Sequence, residues 1–211
     1  MRFRIVSKSL SGLAAVALLG IVAAPSFAVP IEFTHKAAAN GSGTGTLNDV
    51  PFGGVGFTIT ATGDTDDRVS FGSGFFIDHL TASIFIPSVG TFDFLTPTRT
   101  FVNNTVGEAG FSRAGASGAD LFDGPANDVF KTWDMLTAIG PINGDGELLQ
   151  WSSEVFPINT SGGVLVFDDD TRNAQFRASV ERAVVVPEPG MLSLLGLALA
   201  MFGWMRRKAL S

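Results

Sequence analysis

The chain has 211 residues, with 14 Lys and Arg against 20 Asp and Glu, a net charge of −6, no cysteine and no tyrosine. Without cysteine there are no disulfides, no thiolate metal sites and no thiol catalysis. The acidic balance repels a phosphate backbone, so nucleic acid is not an expected partner.

The N-terminus carries an export signature. Arg2, Arg4 and Lys8 form a positive segment, and Leu10 to Ala24 is uncharged and apolar. Ser26-Phe27-Ala28 then places small residues at the two positions a signal peptidase reads. Residues 1–28 are therefore expected to be a signal peptide cut after Ala28. The apolar stretch is short for a permanent span. Folded into a domain, the segment would bury three charges without partners.

Residues 29–186 read as one exported domain of 158 residues, long enough to bury a core. Setting aside three cations at each end of the chain, and Glu188, leaves eight basic and nineteen acidic residues, a balance of −11. Sixteen of the nineteen Phe fall here, and Phe has no polar handle, so these rings suit a core. Alternation of period two predicts strands. Phe57, Ile59 and Ala61 alternate with Thr58, Thr60 and Thr62. Leu80, Ala82, Ile84 and Ile86 alternate with Thr81, Ser83 and Phe85. Ala174, Phe176, Ala178 and Val180 alternate with Gln175, Arg177, Ser179 and Glu181.

Turn chemistry separates these runs at 40–45, 63–67, 72–74, Asn143-Gly144-Asp145-Gly146 and Ser161-Gly162-Gly163. A helical turn is expected only within Pro125 to Leu136. No fixed period recurs, which argues against a solenoid or propeller. The expectation is an all-β fold, an antiparallel β-sandwich of jelly-roll type.

Candidate sites are few. The acidic clusters Asp64, Asp66 and Asp67, then Asp168, Asp169 and Asp170, then Asp145 with Glu147, offer the closely spaced oxygens calcium takes. None has EF-hand spacing, and solvated turn residues are the plainer reading. His35 and His79, the only histidines, are too few for a His-rich metal site, and either could serve a Ser-His-Asp arrangement. No Gly-x-Ser-x-Gly elbow occurs, and Gly41-Ser42-Gly43-Thr44-Gly45 lacks a phosphate loop's spacing and lysine. Thr58, Thr60 and Thr62 would share one strand face at roughly 7 Å spacing. Such a ladder resembles an ice-binding surface, but one ladder without repeats makes no plane. Trp133 and Trp151 are candidates for a sugar-stacking platform or for the core. Many carboxylates leave paired-acid glycoside hydrolysis open, with no pair singled out.

The C-terminus holds the strongest motif. Pro187-Glu188-Pro189 precedes a sixteen-residue run, Gly190 to Met205, whose only hydroxyl side chain is Ser193, stopped by Arg206, Arg207 and Lys208. The prolines keep the entry extended and unpaired. Sixteen helical residues rise about 24 Å against a hydrocarbon core of roughly 30 Å, so snorkelling by the basic residues completes the span. The positive-inside rule leaves Arg206–Lys208 in the cytoplasm and the domain outside.

This tail resembles the PEP-CTERM sorting tail of exported bacterial proteins, the substrate of the membrane enzyme exosortase. The resemblance covers about residues 186–208. It implies an exosortase-like partner, a transient membrane anchor, and final placement at the cell surface or in the extracellular matrix, with a structural or adhesive role linked to exopolysaccharide. No enzyme activity is expected. The alternatives are a carbohydrate-binding module, calcium-dependent or not, and a secreted hydrolase.

Overall fold

The computed structural model describes residues 29–38, 45–115, 119–148, 155–168, 170–181 and 195–199. In chain order the strands are β1 (Pro30–Ala37), β2 (Gly45–Leu47), β3 (Val50–Phe52), β4 (Phe57–Asp64), β5 (Val69–Phe71) and β6 (Gly74–Asp78). Then come β7 (Thr81–Ile86), β8 (Gly90–Asp93), β9 (Thr98–Asn103), β10 (Glu108–Arg113) and β11 (Asp120–Ala126). The last four are β12 (Ile139–Leu148), β13 (Ile158–Thr160), β14 (Gly163–Phe167) and β15 (Asp170–Val180).

All pairings are antiparallel. One ladder runs β5-β6-β9-β10-β11-β12-β15-β1-β4-β7-β8, and a second runs β13-β14-β2-β3. The long sheet folds over on itself, so β6, β9, β10 and β11 face β15, β1, β4 and β7. Phe33 on β1 packs with Ile77 on β6 and Val102 on β9 in one core cluster. Phe57 and Ile59 on β4 join Phe111 and Phe122 from β10 and β11 in another. The short sheet closes that second cluster with Leu47, Phe52, Ile158, Leu165 and Phe167. A bridge between Phe94 and Thr160 links the two sheets at β8. The β-sandwich expected from alternation is present.

The alternation worked because each half-buried strand must send every second side chain inward. Phe57, Ile59 and Ala61 are buried, as are Ala174, Phe176 and Ala178. Phe33, Phe111, Phe122, Phe130 and Phe176 are among the largest fully buried side chains. Each ring contributes about 1.5–3 kcal/mol by leaving water.

Two expectations are corrected. Leu80 is not the first inward residue of β7; it is 70% exposed, and the strand starts at Thr81. The chain is there crossing between layers: His79 N–H donates to Thr98 and Leu80 N–H to Thr62, one bond in each layer. Asn143-Gly144-Asp145-Gly146 is not a turn but the middle of β12, paired with Gln175 to Arg172 of β15. A Cβ at Gly146 would press on the Asp123 carbonyl and Ala174. Glycine here lets β11 approach closely.

The expected helical turn appears as a 3-10 turn, Asp128–Lys131, capped by the Asn127 side chain. Residues 195–199 are helical. Among the described residues no helix is long and apolar enough to cross a membrane.

Candidate functional site

Three places carry chemistry: a buried histidine chain, an acidic and aromatic groove, and the tail.

The histidines meet inside the sandwich. His35 on β1 is fully buried, its ring edge-on to Phe111, Phe122 and Phe176. Its Nε2 lies 3.0 Å from Thr100 Oγ1 on β9. His79 Nε2 lies 2.9 Å from the same hydroxyl, and its Nδ1 2.9 Å from Thr98 Oγ1. One hydroxyl can donate to only one imidazole, so the tautomers are coupled. His35 Nδ1 has no hydrogen-bond partner. A bare lone pair there is less costly than an orphan N–H. That assigns a directed chain, in which His35 Nε2–H donates to Thr100, Thr100 O–H to His79 Nε2, and His79 Nδ1–H to Thr98. Burial pulls both imidazoles from 6.5 down to about 3, His79 also feeling His35 and Arg99. They are neutral structural links between layers.

The groove lies on the outer face of the β5-β6-β9-β10-β11 half. It encloses about 340 Å³ and is lined by Phe71, Phe76, Arg99, Phe101, Asn103, Ser112 and Asp120. That volume is within the ~300–1,000 Å³ range of small-ligand sites. Phe76 pairs with Phe101 across β6 and β9, and Phe101 with Gly110 on β10. A Cβ at Gly110 would overlap the Phe101 ring, so the bare backbone lets that ring lie down across the neighbouring strand. The Arg99 guanidinium sits 4.1 Å from the Phe76 ring centroid, with Nε 3.1 Å from Asp78.

A β-bulge places the acids. Phe111 pairs with Phe122 but Ser112 with Asp120, so Leu121 is the extra residue. Asp120 and Asp123 thereby reach the same face although three residues apart. Asp123 stands opposite Gly110 and Glu147, near Glu108. Burial raises Asp123 to about 8, helped by Asp120, Glu108 and Glu147. Burial and Glu108 raise Asp120 to about 6 against the pull of Arg99. Burial, then Glu147, raises Glu108. Asp123 Oδ1 is buried without a hydrogen-bond partner. The histidine side chains point into the core, whereas Ser112 faces the groove, so the two are not brought together.

A larger hollow of about 620 Å³ over β12 and β15 is lined by Lys36, Asn143, Asp145, Asn173 and Gln175. It has no aromatic ring and none of the shifted acids, so the smaller groove is the better candidate.

The other sequence candidates separate. Asp64 accepts from the Asp66 N–H and caps the 3-10 turn Thr65–Asp67. Among the described residues no three His, Asp or Glu side chains are grouped to hold a metal ion. Asp168 is exposed, while Asp169 and the Asp170 side chain lie outside the described residues. Trp133 is in the core against Phe130 and Phe176, donating to the Thr137 carbonyl at 2.9 Å, so it forms no platform; Trp151 lies outside the described residues. Thr58, Thr60 and Thr62 do share the outer face of β4, and Thr62 bonds Thr81. Lys36, Glu32 and Phe85 interrupt the rows beside them.

Ser26, Ala28, Pro187, Glu188, Pro189, Arg206, Arg207 and Lys208 also lie outside the described residues. Their part of the chain is decided by comparison. Residues 185–208 match the family model of the PEP-CTERM protein-sorting motif. The chain carries a PEP-CTERM sorting tail. No curated protein and no solved structure matches the chain. The PEP-CTERM tail gives an exosortase-type processing partner, export, and membrane-associated sorting to the cell surface.

Proposed function

We propose that this PEP-CTERM protein is a component of the surface matrix. Signal peptidase removes residues 1–28, and the 29–186 sandwich crosses the inner membrane. The 187–211 tail holds it there through the apolar 190–205 run until an exosortase-like enzyme cuts near Pro187–Pro189. Outside, the sandwich has a structural or adhesive role with exopolysaccharide and no catalytic one. The observation that carries this reading is the sorting motif at 185–208. A cysteine-free sandwich suits it, since its stability does not depend on disulfides.

Mass spectrometry of the exported protein tests it. The expected N-terminus is Val29 and the expected C-terminus falls within Pro187 to Gly190. Mature surface material that still ends in intact Arg206-Arg207-Lys208 would sink the processing step.

The secreted-hydrolase reading has one observation in its favour, the raised carboxyl of Asp120 in the groove with that of Asp123 raised beside it. Release of reducing ends from a polysaccharide by the full chain, lost in Asp123→Asn, would put that reading first.

A further inference from the structure

We propose that the outer groove of β5, β6, β9, β10 and β11 binds an uncharged pyranose chain, stacked on Phe71, Phe76 and Phe101 and hydrogen-bonded by Asp120, Ser112 and Asn103. The inference rests on the polysaccharide-associated reading above and names the ligand class and the site.

The rings come first. An outward face of a sandwich is ordinarily polar, yet three Phe side chains meet here, and Phe71 is 39% exposed. The apolar face of a pyranose ring is a natural cover for such rings, while its equatorial hydroxyls need donors and acceptors at the margin. The lining supplies both: carboxyl, hydroxyl, amide and guanidinium groups around the rings. The parts are also held in place before any ligand arrives. Gly110 lets Phe101 lie flat, and Arg99 is fixed between Phe76 and Asp78.

Charge selects the ligand. Asp78 and Asp120 occupy the one guanidinium in the groove, so uronate, sulfate or phosphate groups find no free cation there and meet carboxylates instead. Arg99 itself lies in the groove, so an ammonium brought onto the rings meets a like charge. A neutral sugar meets neither penalty. From β5 to β11 the lining crosses four inter-strand steps, about 19 Å at roughly 4.8 Å each, which is longer than a single ring and suits a chain.

The test uses the full chain in detergent at physiological salt. Binding is measured by calorimetry to neutral glucan, galactan, mannan and N-acetylglucosamine hexamers, with polygalacturonate as control. At least one neutral hexamer is expected to bind. Asp120→Asn, which keeps the side chain's shape, and Phe71→Ala, at the exposed sheet edge, should each weaken it several-fold, and Phe76→Ala about tenfold. Near-UV circular dichroism reports whether each variant keeps the native fold, and Asp120→Asn carries the test if Phe76→Ala does not. The inference is overturned if no neutral hexamer binds, if binding survives Phe71→Ala and Asp120→Asn together, or if polygalacturonate binds as well. Failure here with correct processing at Pro187–Gly190 leaves the matrix reading standing. Groove binding by a chain that never reaches the surface would remove the matrix reading alone.

Discussion

The Nε2 of His35 on β1 stands 3.0 Å from the hydroxyl of Thr100 on β9, a polar tie between two layers packed through aliphatic and aromatic side chains. Thr100 also serves His79 at 2.9 Å. Replacing it by Val keeps the shape and leaves two imidazole nitrogens without a partner. Thr100→Val is expected to cost about 2–3 kcal/mol, since a buried polar group left unsatisfied loses its full desolvation cost. Urea unfolding measures it. A loss under about 0.5 kcal/mol would mean the tie adds nothing to stability.

The titrating groups oppose one another with pH. His35 and His79 have folded values near 3 against 6.5 unfolded, so their contribution is complete above pH 6.5 and is lost as pH falls toward 3. Asp123 near 8 and Asp120 near 6 act the other way, with full stability below about 3.8 that is lost as pH rises. Between pH 4 and 6 the two slopes oppose each other, with Glu108, also raised by burial, adding to the carboxyl side. Above 6.5 the histidine contribution is complete while Asp123 still titrates, so stability declines to pH 8. A melting-temperature maximum at pH 6 to 6.5 is expected, and Asp123→Asn should flatten the alkaline limb. A melting temperature that climbs from pH 6.5 to 8 in the native chain would contradict the assignment.

Gly110 is where backbone room matters most for the groove. A methyl group there would overlap the Phe101 ring and crowd the Asp123 carboxyl. Gly110→Ala should destabilise by about 1–3 kcal/mol, the usual cost of overpacking, while turning Phe101 off β10. Thermal unfolding measures the first effect. The second appears as a change in near-UV ellipticity.

Trp133 gives a control for sugar binding. It is 5% exposed and packed on Phe130 and Phe176, so Trp133→Ala should cost about 3–5 kcal/mol. In the fraction that remains folded at low temperature, oligosaccharide affinity should be unchanged. A selective loss of affinity without loss of stability would return Trp133 to a binding role.

The tail offers a direct genetic test. Alanine at Pro187, Glu188 and Pro189 allows helix where the prolines forbid it. The expected result is full-length protein retained in the membrane fraction with Arg206-Arg207-Lys208 intact, read by C-terminal peptide mapping. Normal release would show that these three residues are not the processing determinant.

The sequence revealed what is local. Alternation at Phe57-Ile59-Ala61 and Ala174-Phe176-Ala178 marks β4 and β15 because inward and outward faces must alternate, and the motif around Pro187 is contiguous. It failed where tertiary approach decides. Gly144 and Gly146 look like turn residues, but they are small because β11 passes over them. Asp120 and Asp123 look like residues on opposite faces, and a bulge at Leu121 brings them to one. His35 and Thr100 are 65 residues apart, and no local pattern pairs them. The groove rings were hidden by their number, since a chain with 19 Phe gives no reason to set Phe71, Phe76 and Phe101 apart.

The place of β15 also decides how the protein bears a pull. The strand that leads to the tail is 11 residues long and lies inside the long sheet, with β12 on one side and β1 on the other. Tension entering at Glu181 along that strand loads both ladders in shear, so their hydrogen bonds resist together instead of opening one by one. The groove strands belong to the same ladder and begin at β11, with only β12 between them and β15. A sandwich gripping polymer there and tethered at its C-terminus carries load through continuous backbone hydrogen bonding, as a rivet does between two plates.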